Sequence, residues 1–285
     1  MSMTHSKRAQ RAWRLIVSAA VVLGGVLLGA CQYVGPAATD EQIAALERSS
    51  LPPGPEDPVS YLRAGLRDGP RVIFIHGTPG SAEAWADFLV DPVPGFDMFA
   101  VDRPGFGQSR LGAETSFERQ AAAIAPLLVE RGGRRPIVVG HSLGGPIAAR
   151  LAADYPDRVG GLVIVSGSLD PDLEPWSLAQ EIATTWLVRA LLPRPLDNTM
   201  TELDAAGRET EALRAVLARI RCPVVVIHGF EDELVPFANT EYAGRTLVNA
   251  ASVEIVALAR IGHFVPWQRP DAIRDAIERV ARRAR

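Results

Sequence analysis

The chain has 285 residues, of which 47% are hydrophobic and 22% are charged, so it is long enough to bury the core of one full-sized domain. The formal net charge is −3, and basic residues cluster only at the two ends, which argues against nucleic acid as a partner. The two cysteines, Cys31 and Cys222, and the five histidines lack metal-ligand spacing, so no metal site is predicted.

The first 30 residues have the pattern of a secretory signal. Positions 7–14 are basic without acidic residues, and residues 15–30 form an uncharged run. The run ends in Leu-Gly-Ala-Cys at 28–31, which resembles the lipobox of bacterial lipoproteins. This resemblance implies cleavage before Cys31, lipid attachment to its sulfur, and an exported, membrane-tethered protein of the bacterial envelope. The alternative is an uncleaved apolar helix that anchors the chain.

Residues 31–57 are predicted to be a tether between this signal and the folded domain. Four of them are prolines and few are bulky apolar residues, which favours an extended linker with one short helix near 39–48. Further along, Cys222 opens an apolar segment and is predicted to be a small buried hydrophobe. With Cys31 carrying lipid, it would have no disulfide partner.

From residue 58 onward, apolar strand-like segments alternate with helical ones. The predicted strands cover residues 59–63, 72–75, 96–101, 136–139, 161–165, 223–227 and 252–256. The predicted helices cover residues 82–89, 116–131, 146–155, 201–220, 238–248 and 270–283. This alternation predicts an α/β domain over 58–285, with a mainly parallel sheet and helices on both faces.

Residues 167–200 interrupt the alternation. Prolines bracket residues 177–192, where Leu178, Ile182 and Trp186 repeat at helical spacing. The pattern predicts a small helical cap over the C-terminal edge of the sheet. Its apolar stripe either contacts substrate or only packs against the core, and the sequence leaves both open.

Residues 140–145, Gly-His-Ser-Leu-Gly-Gly, match the G-x-S-x-G nucleophile elbow. They follow a predicted strand and precede a predicted helix, and in that context the turn pushes the serine hydroxyl out above the sheet. Ser142 is therefore the predicted nucleophile. Because an aliphatic hydroxyl is almost fully protonated at neutral pH, it needs a base in hydrogen-bond reach and a carboxylate that orients the base.

Five motifs in this order resemble the α/β-hydrolase family over about residues 58–285. They are His-Gly-Thr-Pro-Gly at 76–80, Asp-Arg-Pro-Gly-Phe-Gly-Gln-Ser at 102–109, the elbow, His-Gly-Phe-Glu-Asp at 228–232, and Gly-His-Phe at 262–264. The resemblance implies an α/β-hydrolase fold and cofactor-free acyl-enzyme chemistry. The family usually opens with a β-hairpin, but only the strand at 59–63 is found, so the first strand is expected to be missing or irregular.

His263 is the predicted base, because it follows the last strand in a loop that can reach the C-terminal edge of the sheet. The other histidines in the domain, His76, His141 and His228, lie at strand ends and are interpreted as structural. The resemblance places the acid at Asp232, which gives the order Ser…Asp…His. Asp170 is the alternative, because some members carry the acid after the preceding strand.

Fixed donors must stabilise the oxyanion that forms during attack on an ester carbonyl. The backbone N–H of Leu143, at the start of the helix after the nucleophile, is one predicted donor. The N–H of Thr78 is the other, with its hydroxyl as a further candidate. The motif that begins at Asp102 is interpreted as architecture.

These residues predict a serine hydrolase that cleaves an ester-type bond in a small or medium acyl substrate. A lactonase, a C–C bond hydrolase and a cofactor-free haloperoxidase use the same triad and remain alternatives. Haloalkane dehalogenases and epoxide hydrolases are disfavoured because they use an aspartate nucleophile. A non-catalytic envelope binding protein is the alternative from another class, disfavoured because Ser142, Asp232 and His263 are all present.

Overall fold

The computed structural model describes residues 36–51, 59–109, 112–173 and 193–284. Within these ranges one sheet is built from eight strands. They are β1 (Glu47–Ser50), β2 (Ser60–Gly65), β3 (Arg71–Ile75), β4 (Asp97–Val101), β5 (Ile137–His141), β6 (Gly161–Val165), β7 (Pro223–Gly229) and β8 (Ser252–Leu258). The spatial order is β1-β2-β4-β3-β5-β6-β7-β8, with parallel pairing from β4 to β8. The predicted α/β fold with a mainly parallel sheet is confirmed.

The same ranges contain helices between most of the strands. They are α1 (Asp40–Ala44), α2 (Ala86–Val90), α3 (Phe117–Ile124), α4 (Gly144–Asp154), α5 (Arg194–Arg214), α6 (Asn239–Thr246), α7 (Val265–Gln268) and α8 (Pro270–Arg283). Helix α3 ends earlier than predicted, because Pro126 lies in the 3-10 turn that follows it. Helix α5 begins earlier than predicted, because its first turn accommodates Pro195.

Alternate residues of the central strands face two separate apolar layers. Ile73 and Val138 belong to one buried cluster, which also contains side chains of α3 and α4. Val72 and Val139 belong to the other, which contains side chains of α2 and α8. Since side chains alternate between the two faces of a strand, a continuous apolar run is needed to fill both layers.

The beginning of the domain differs from the sequence-based expectation. Strand β1 lies inside the predicted tether, and it pairs antiparallel with β2, so an antiparallel strand pair does precede β3. The sequence Glu-Arg-Ser-Ser of β1 is almost entirely exposed at the edge of the sheet. Because this edge strand buries little surface, it has no apolar pattern from which it could have been predicted.

The residues that follow the parallel strands all lie at one edge of the sheet. His76 follows β3, Ser142 follows β5, Asp232 lies just beyond β7 and His263 lies just beyond β8. Carboxyl ends of parallel strands meet at the same edge, so these four residues converge.

Several predictions concern residues outside those that the structure describes. They are the signal at 1–30, Cys31, and the apolar stripe at 177–192 of the cap. Within the described ranges, each helix is too short or too polar to cross a membrane.

Candidate active site

Ser142 lies in a strained turn between β5 and α4. Its φ is 53°, in the left-handed region that non-glycine residues rarely adopt, and its N–H donates to the Val165 carbonyl at 3.0 Å. The flanking glycines are required by close packing. A Cβ atom at Gly140 would lie 2.1 Å from the Gly144 carbonyl oxygen, and one at Gly144 would lie 2.4 Å from the Ile75 carbonyl oxygen. Close backbone contacts therefore explain why the predicted elbow motif has glycines at these two positions.

Asp232 and His263 are brought together by the loops after β7 and β8. The Nδ1 atom of His263 lies 2.8 Å from Oδ2 of Asp232, and both side chains are buried. The other carboxylate oxygen, Oδ1, accepts the N–H groups of Leu234 at 3.0 Å and Val235 at 2.8 Å. These two bonds form an Asx-type turn that fixes the carboxylate against its own loop.

The same contacts keep the Asp232 carboxylate ionised. Burial alone would raise the pKa of Asp232, but hydrogen bonds from His228, His263 and Val235 outweigh it and hold that pKa below its usual range. An ionised carboxylate can only accept, so the proton of a neutral His263 lies on Nδ1. The lone pair on Nε2 is then available to accept a proton.

The three other histidines of the domain are held by backbone groups. His76 accepts the N–H of Arg103 on Nε2 and donates from Nδ1 to the Gly77 carbonyl. His141 donates from Nε2 to the His263 carbonyl at 3.0 Å, and His228 donates from Nε2 to the Val235 carbonyl at 2.9 Å. Each ring therefore has a structural partner in the loops around the sheet edge.

Burial keeps two of these rings neutral. It lowers the pKa of His141 from 6.5 to about 3, with a further contribution from the neighbouring His263. Burial and the charge of Arg103 hold the pKa of His76 well below 6.5. Neither ring can take up a proton near neutral pH.

Asp170, the alternative acid, has a different set of partners. Its backbone N–H donates to Asn239 at 2.9 Å, and its Oδ1 atom accepts the N–H of Asp172 at 3.1 Å. Nη2 of Arg214 lies 4.0 Å from the same Oδ1 atom. These contacts connect Asp170 to α5 and α6.

The two predicted oxyanion donors belong to two backbone segments that adjoin Ser142. Leu143 immediately precedes α4, so its N–H is at the positive end of that helix. A Cβ atom at Gly77 would lie 2.8 Å from Cβ of Ser142, so the backbone that leads to Thr78 approaches Ser142 closely. The Thr78 hydroxyl lies 3.2 Å from the Thr199 hydroxyl, which itself donates to the Pro195 carbonyl. A single hydroxyl proton cannot serve two acceptors equally, so in this arrangement Thr78 is the donor to Thr199.

The loop after β4 contains Asp102, which was predicted to be architectural, and Arg103, whose contacts were not predicted. Asp102 is buried and accepts the N–H of Ala82 at 2.7 Å and a side-chain N–H of Arg48 at 2.7 Å. The neighbouring Arg103 points its guanidinium toward the Gly77 carbonyl and pairs with Glu202 of α5.

Glu202 and Thr199 are contacts of the active-site loop that the sequence analysis missed. Glu202 precedes Ala206 by one helical turn and lies on the same buried stripe of α5. An acidic residue on an apolar helical stripe was the available signal, because a carboxylate in that place needs a buried partner.

Cys222 is a buried free thiol, and burial raises its pKa to about 12. In the described part of the chain, no group of three or more His, Cys, Asp or Glu side chains is arranged to hold a metal ion.

Comparison with known proteins places this geometry in context. The family model described as alpha/beta hydrolase fold matches residues 70–191. A dihydrolipoyllysine-residue acetyltransferase component of the acetoin cleaving system from Cupriavidus necator is 30% identical, over 74% of this chain and 68% of its own. The lipase LipV from Mycobacterium tuberculosis is 31% identical, over 70% of each chain.

One further protein is similar to this chain in sequence, and another is similar to it in structure. A 2-hydroxy-6-oxononadienedioate/2-hydroxy-6-oxononatrienedioate hydrolase from Burkholderia vietnamiensis is 26% identical, over 74% of this chain and 87% of its own. The crystal structure of a bacterial membrane phospholipase A superposes with a TM-score of 0.65 at 22% identity, covering 98% of this chain and 99% of the other. At that level of identity the superposition concerns the fold alone.

Proposed function

Because this chain belongs to the α/β-hydrolase fold family, we propose that it is a serine hydrolase with Ser142 as nucleophile, His263 as general base and Asp232 as orienting carboxylate. The observation that carries the proposal is the 2.8 Å hydrogen bond between His263 and Asp232, at the same edge of the sheet as a serine held at a positive φ on the elbow. Hydrolase activity is the common feature of the family's esterases, lipases and C–C bond hydrolases.

The proposed reaction has two halves. In the first, Nε2 of His263 takes the proton of Ser142 as Oγ attacks the carbonyl carbon, and the tetrahedral intermediate collapses when His263 protonates the leaving group. In the second, water attacks the acyl-enzyme with His263 again as base, which releases the acid and restores Ser142. Asp232 stays ionised throughout and stabilises the imidazolium that forms twice in each turnover.

The proposed oxyanion site consists of the N–H groups of Leu143 and Thr78. Both belong to the backbone, so they are fixed before the reaction and need little reorganisation as charge develops. The hydroxyl of Thr78 is engaged with Thr199, so the backbone N–H is the group that we assign to the oxyanion.

For the substrate we propose an ester of a small or medium acyl group. The similarity to a lipase supports this class, and the site supplies the acyl-transfer groups that it requires. The similarity to a 2-hydroxy-6-oxononadienedioate hydrolase favours C–C bond hydrolysis as the second candidate. Lactonase and haloperoxidase activities use the same groups.

The first test is to label the purified protein with a fluorophosphonate and to measure hydrolysis of p-nitrophenyl esters of rising chain length. Ser142→Ala is the matched control. Labelling and turnover that both vanish in Ser142→Ala would support the hydrolase. Turnover of a 2-hydroxy-6-oxo-dienoate in preference to every ester would favour the C–C hydrolase, and a folded protein that neither labels nor turns over any substrate would favour a binding protein.

We also propose that the protein is exported and carries lipid on Cys31. The support is the lipobox-like sequence at 28–31, which follows a basic start and an apolar run. An alkyne-labelled fatty acid should be incorporated into the wild-type protein and not into Cys31→Ser. Intact-mass analysis separates this result from an uncleaved anchor, which would retain residues 1–30.

A further inference from the structure

Arg103 and Glu202 form an ion pair deep inside the domain, beside the nucleophile loop. Their side chains are 0% and 1% exposed, and both guanidinium Nη atoms contact the carboxylate. Gln120 joins the pair, accepting from Arg103 at 2.9 Å and donating to Glu202 at 2.9 Å. Because desolvation of two charges offsets much of their attraction, such a buried pair adds little net stability to the fold.

The contact that matters is the carbonyl oxygen of Gly77. Nη2 of Arg103 donates to it at 2.9 Å, and Nδ1 of His76 donates to it at 2.6 Å. The backbone N–H of Arg103 donates to Nε2 of His76 at 3.1 Å, which leaves the ring proton on Nδ1, where the carbonyl needs it. Two buried donors therefore fix the direction of a single carbonyl group.

That carbonyl shares a peptide plane with the N–H of Thr78. The Gly77–Thr78 peptide is trans, so its C=O and N–H groups point in opposite directions. A carbonyl held toward Arg103 turns the N–H away from Arg103. Gly77 itself packs against Ser142, so the Thr78 N–H belongs to a peptide group that lies beside the proposed nucleophile.

We propose that Arg103 and Glu202 are positioning residues, which aim the Thr78 N–H at the oxyanion by holding the Gly77 carbonyl. The inference rests on the proposed serine-hydrolase function and deepens it. Glu202 fixes the guanidinium, the guanidinium fixes the carbonyl, and the shared peptide plane transmits the direction to the N–H. Neither side chain touches the substrate in this scheme.

Helix α5 holds the other side of the same residue. Thr199 lies three positions before Glu202 and receives the Thr78 hydroxyl, while Asn198 donates to the Gly105 carbonyl at 2.6 Å. One face of α5 thus contacts both the loop after β3 and the loop after β4. The direction of the Thr78 N–H depends on a helix that is distant in sequence.

This role predicts a specific kinetic signature. The N–H contact strengthens as negative charge develops on the substrate oxygen, so its misalignment raises the barrier and leaves ground-state binding nearly unchanged. We expect Glu202→Gln to lower kcat about 10- to 100-fold with KM within about threefold of wild type. Affinity for a trifluoromethyl ketone, which forms a tetrahedral adduct on serine, should fall in parallel with kcat/KM.

The experiment uses the purified full chain with p-nitrophenyl esters, and it includes an ion-pair control. Asp97→Asn breaks the contact of Asp97 with Arg63, at 2.8 Å, at the start of β4 and therefore at the sheet edge opposite the site. It should change kcat less than about threefold. If Glu202→Gln does not fold, the apolar double variant Arg103→Met with Glu202→Leu replaces it, because it removes both charges together.

The outcomes are separable. A selective loss of kcat and of ketone affinity in a folded variant supports the inference. Unchanged kcat in that variant, or an equal loss in Asp97→Asn, overturns it while wild-type activity keeps the serine-hydrolase proposal intact. A wild-type protein that takes no fluorophosphonate and hydrolyses no ester overturns the proposed function itself.

Discussion

The imidazole rings of His228 and His263 both contact the same carboxylate oxygen of Asp232. Nδ1 of His263 lies 2.8 Å from Oδ2, and Nε2 of His228 lies 3.3 Å from the same atom. His228 also donates to the Val235 carbonyl, so it connects β7 to the loop that contains Asp232. The orientation of His263 therefore depends on a buried network and not on a single contact.

This network distinguishes the two candidate acids. Asp232→Asn should lower kcat by about 10³- to 10⁴-fold, because an amide favours the wrong tautomer of His263 and cannot stabilise its cation. Asp170→Asn should change kcat less than about threefold, because Asp170 is engaged with α5 and α6. Steady-state ester hydrolysis measures both. A larger loss of kcat in Asp170→Asn than in Asp232→Asn would identify Asp170 as the acid.

The close approach of Gly77 to Ser142 gives a steric prediction. Gly77→Ala would place a methyl group 2.8 Å from Cβ of Ser142, so we expect kcat/KM to fall by about 100-fold or more and the free energy of unfolding to fall by about 1–3 kcal/mol. Gly244→Ala in α6 is the control, since its Cβ would meet nothing within 4 Å. It should leave activity unchanged and stabilise the fold by up to about 1 kcal/mol. Fluorophosphonate labelling rates and urea unfolding provide the measurements.

The buried neutral histidines predict acid sensitivity of the fold. The pKa of His141 falls from 6.5 to about 3 on folding, so between these values the unfolded chain binds a proton that the native protein does not. Stability therefore decreases as pH falls through that window, by up to about 1.4 kcal/mol per pH unit for one such group. His76 acts in the same direction.

Urea unfolding at several pH values from 7 to 4.5 tests this. His141→Gln keeps a donor for the His263 carbonyl. It should reduce the slope of the free energy of unfolding against pH by up to the contribution of one proton. Asp232, whose pKa is lowered, retains its contribution throughout this range and loses it only at lower pH. An unchanged slope in His141→Gln would contradict the assignment.

Cys222 should be chemically silent in the native protein. Its burial and a pKa of about 12 leave almost no thiolate at pH 8, so in a Cys31→Ser background a disulfide reagent should titrate less than about 0.1 thiol per chain. In urea the same reagent should titrate one. Rapid reaction before unfolding would show that the segment just before β7 opens locally.

The sequence predicted the parts of the fold that bury apolar surface. The bounds of β6 and α8 agree with the structure, because a continuous apolar run and a strongly amphipathic helix are each visible over their full length. Strand β1 was missed because its pairing with β2, and not its own polar residues, determines its conformation. The onset of α5 was missed because prolines, taken as breaks, are compatible with a first turn.

The candidate site shows the same division. The elbow around Ser142 and the motifs of His263 and Asp232 are local in sequence and could be recognised. The pairing of Arg103 with Glu202 joins residues 99 positions apart, so only the packing of α5 against the loop after β4 reveals it.

The backbone N–H groups of Ala37 and Ala38 both donate to the carboxylate of Asp87, which secures the start of the described chain to α2. With lipid on Cys31, six residue steps would connect the bilayer surface to that point, a reach of about 20 Å at full extension. The enzyme would then act only within a thin layer above the membrane. Substrate selection would be partly a matter of location, because compounds that accumulate in this layer would reach the active site at high effective concentration.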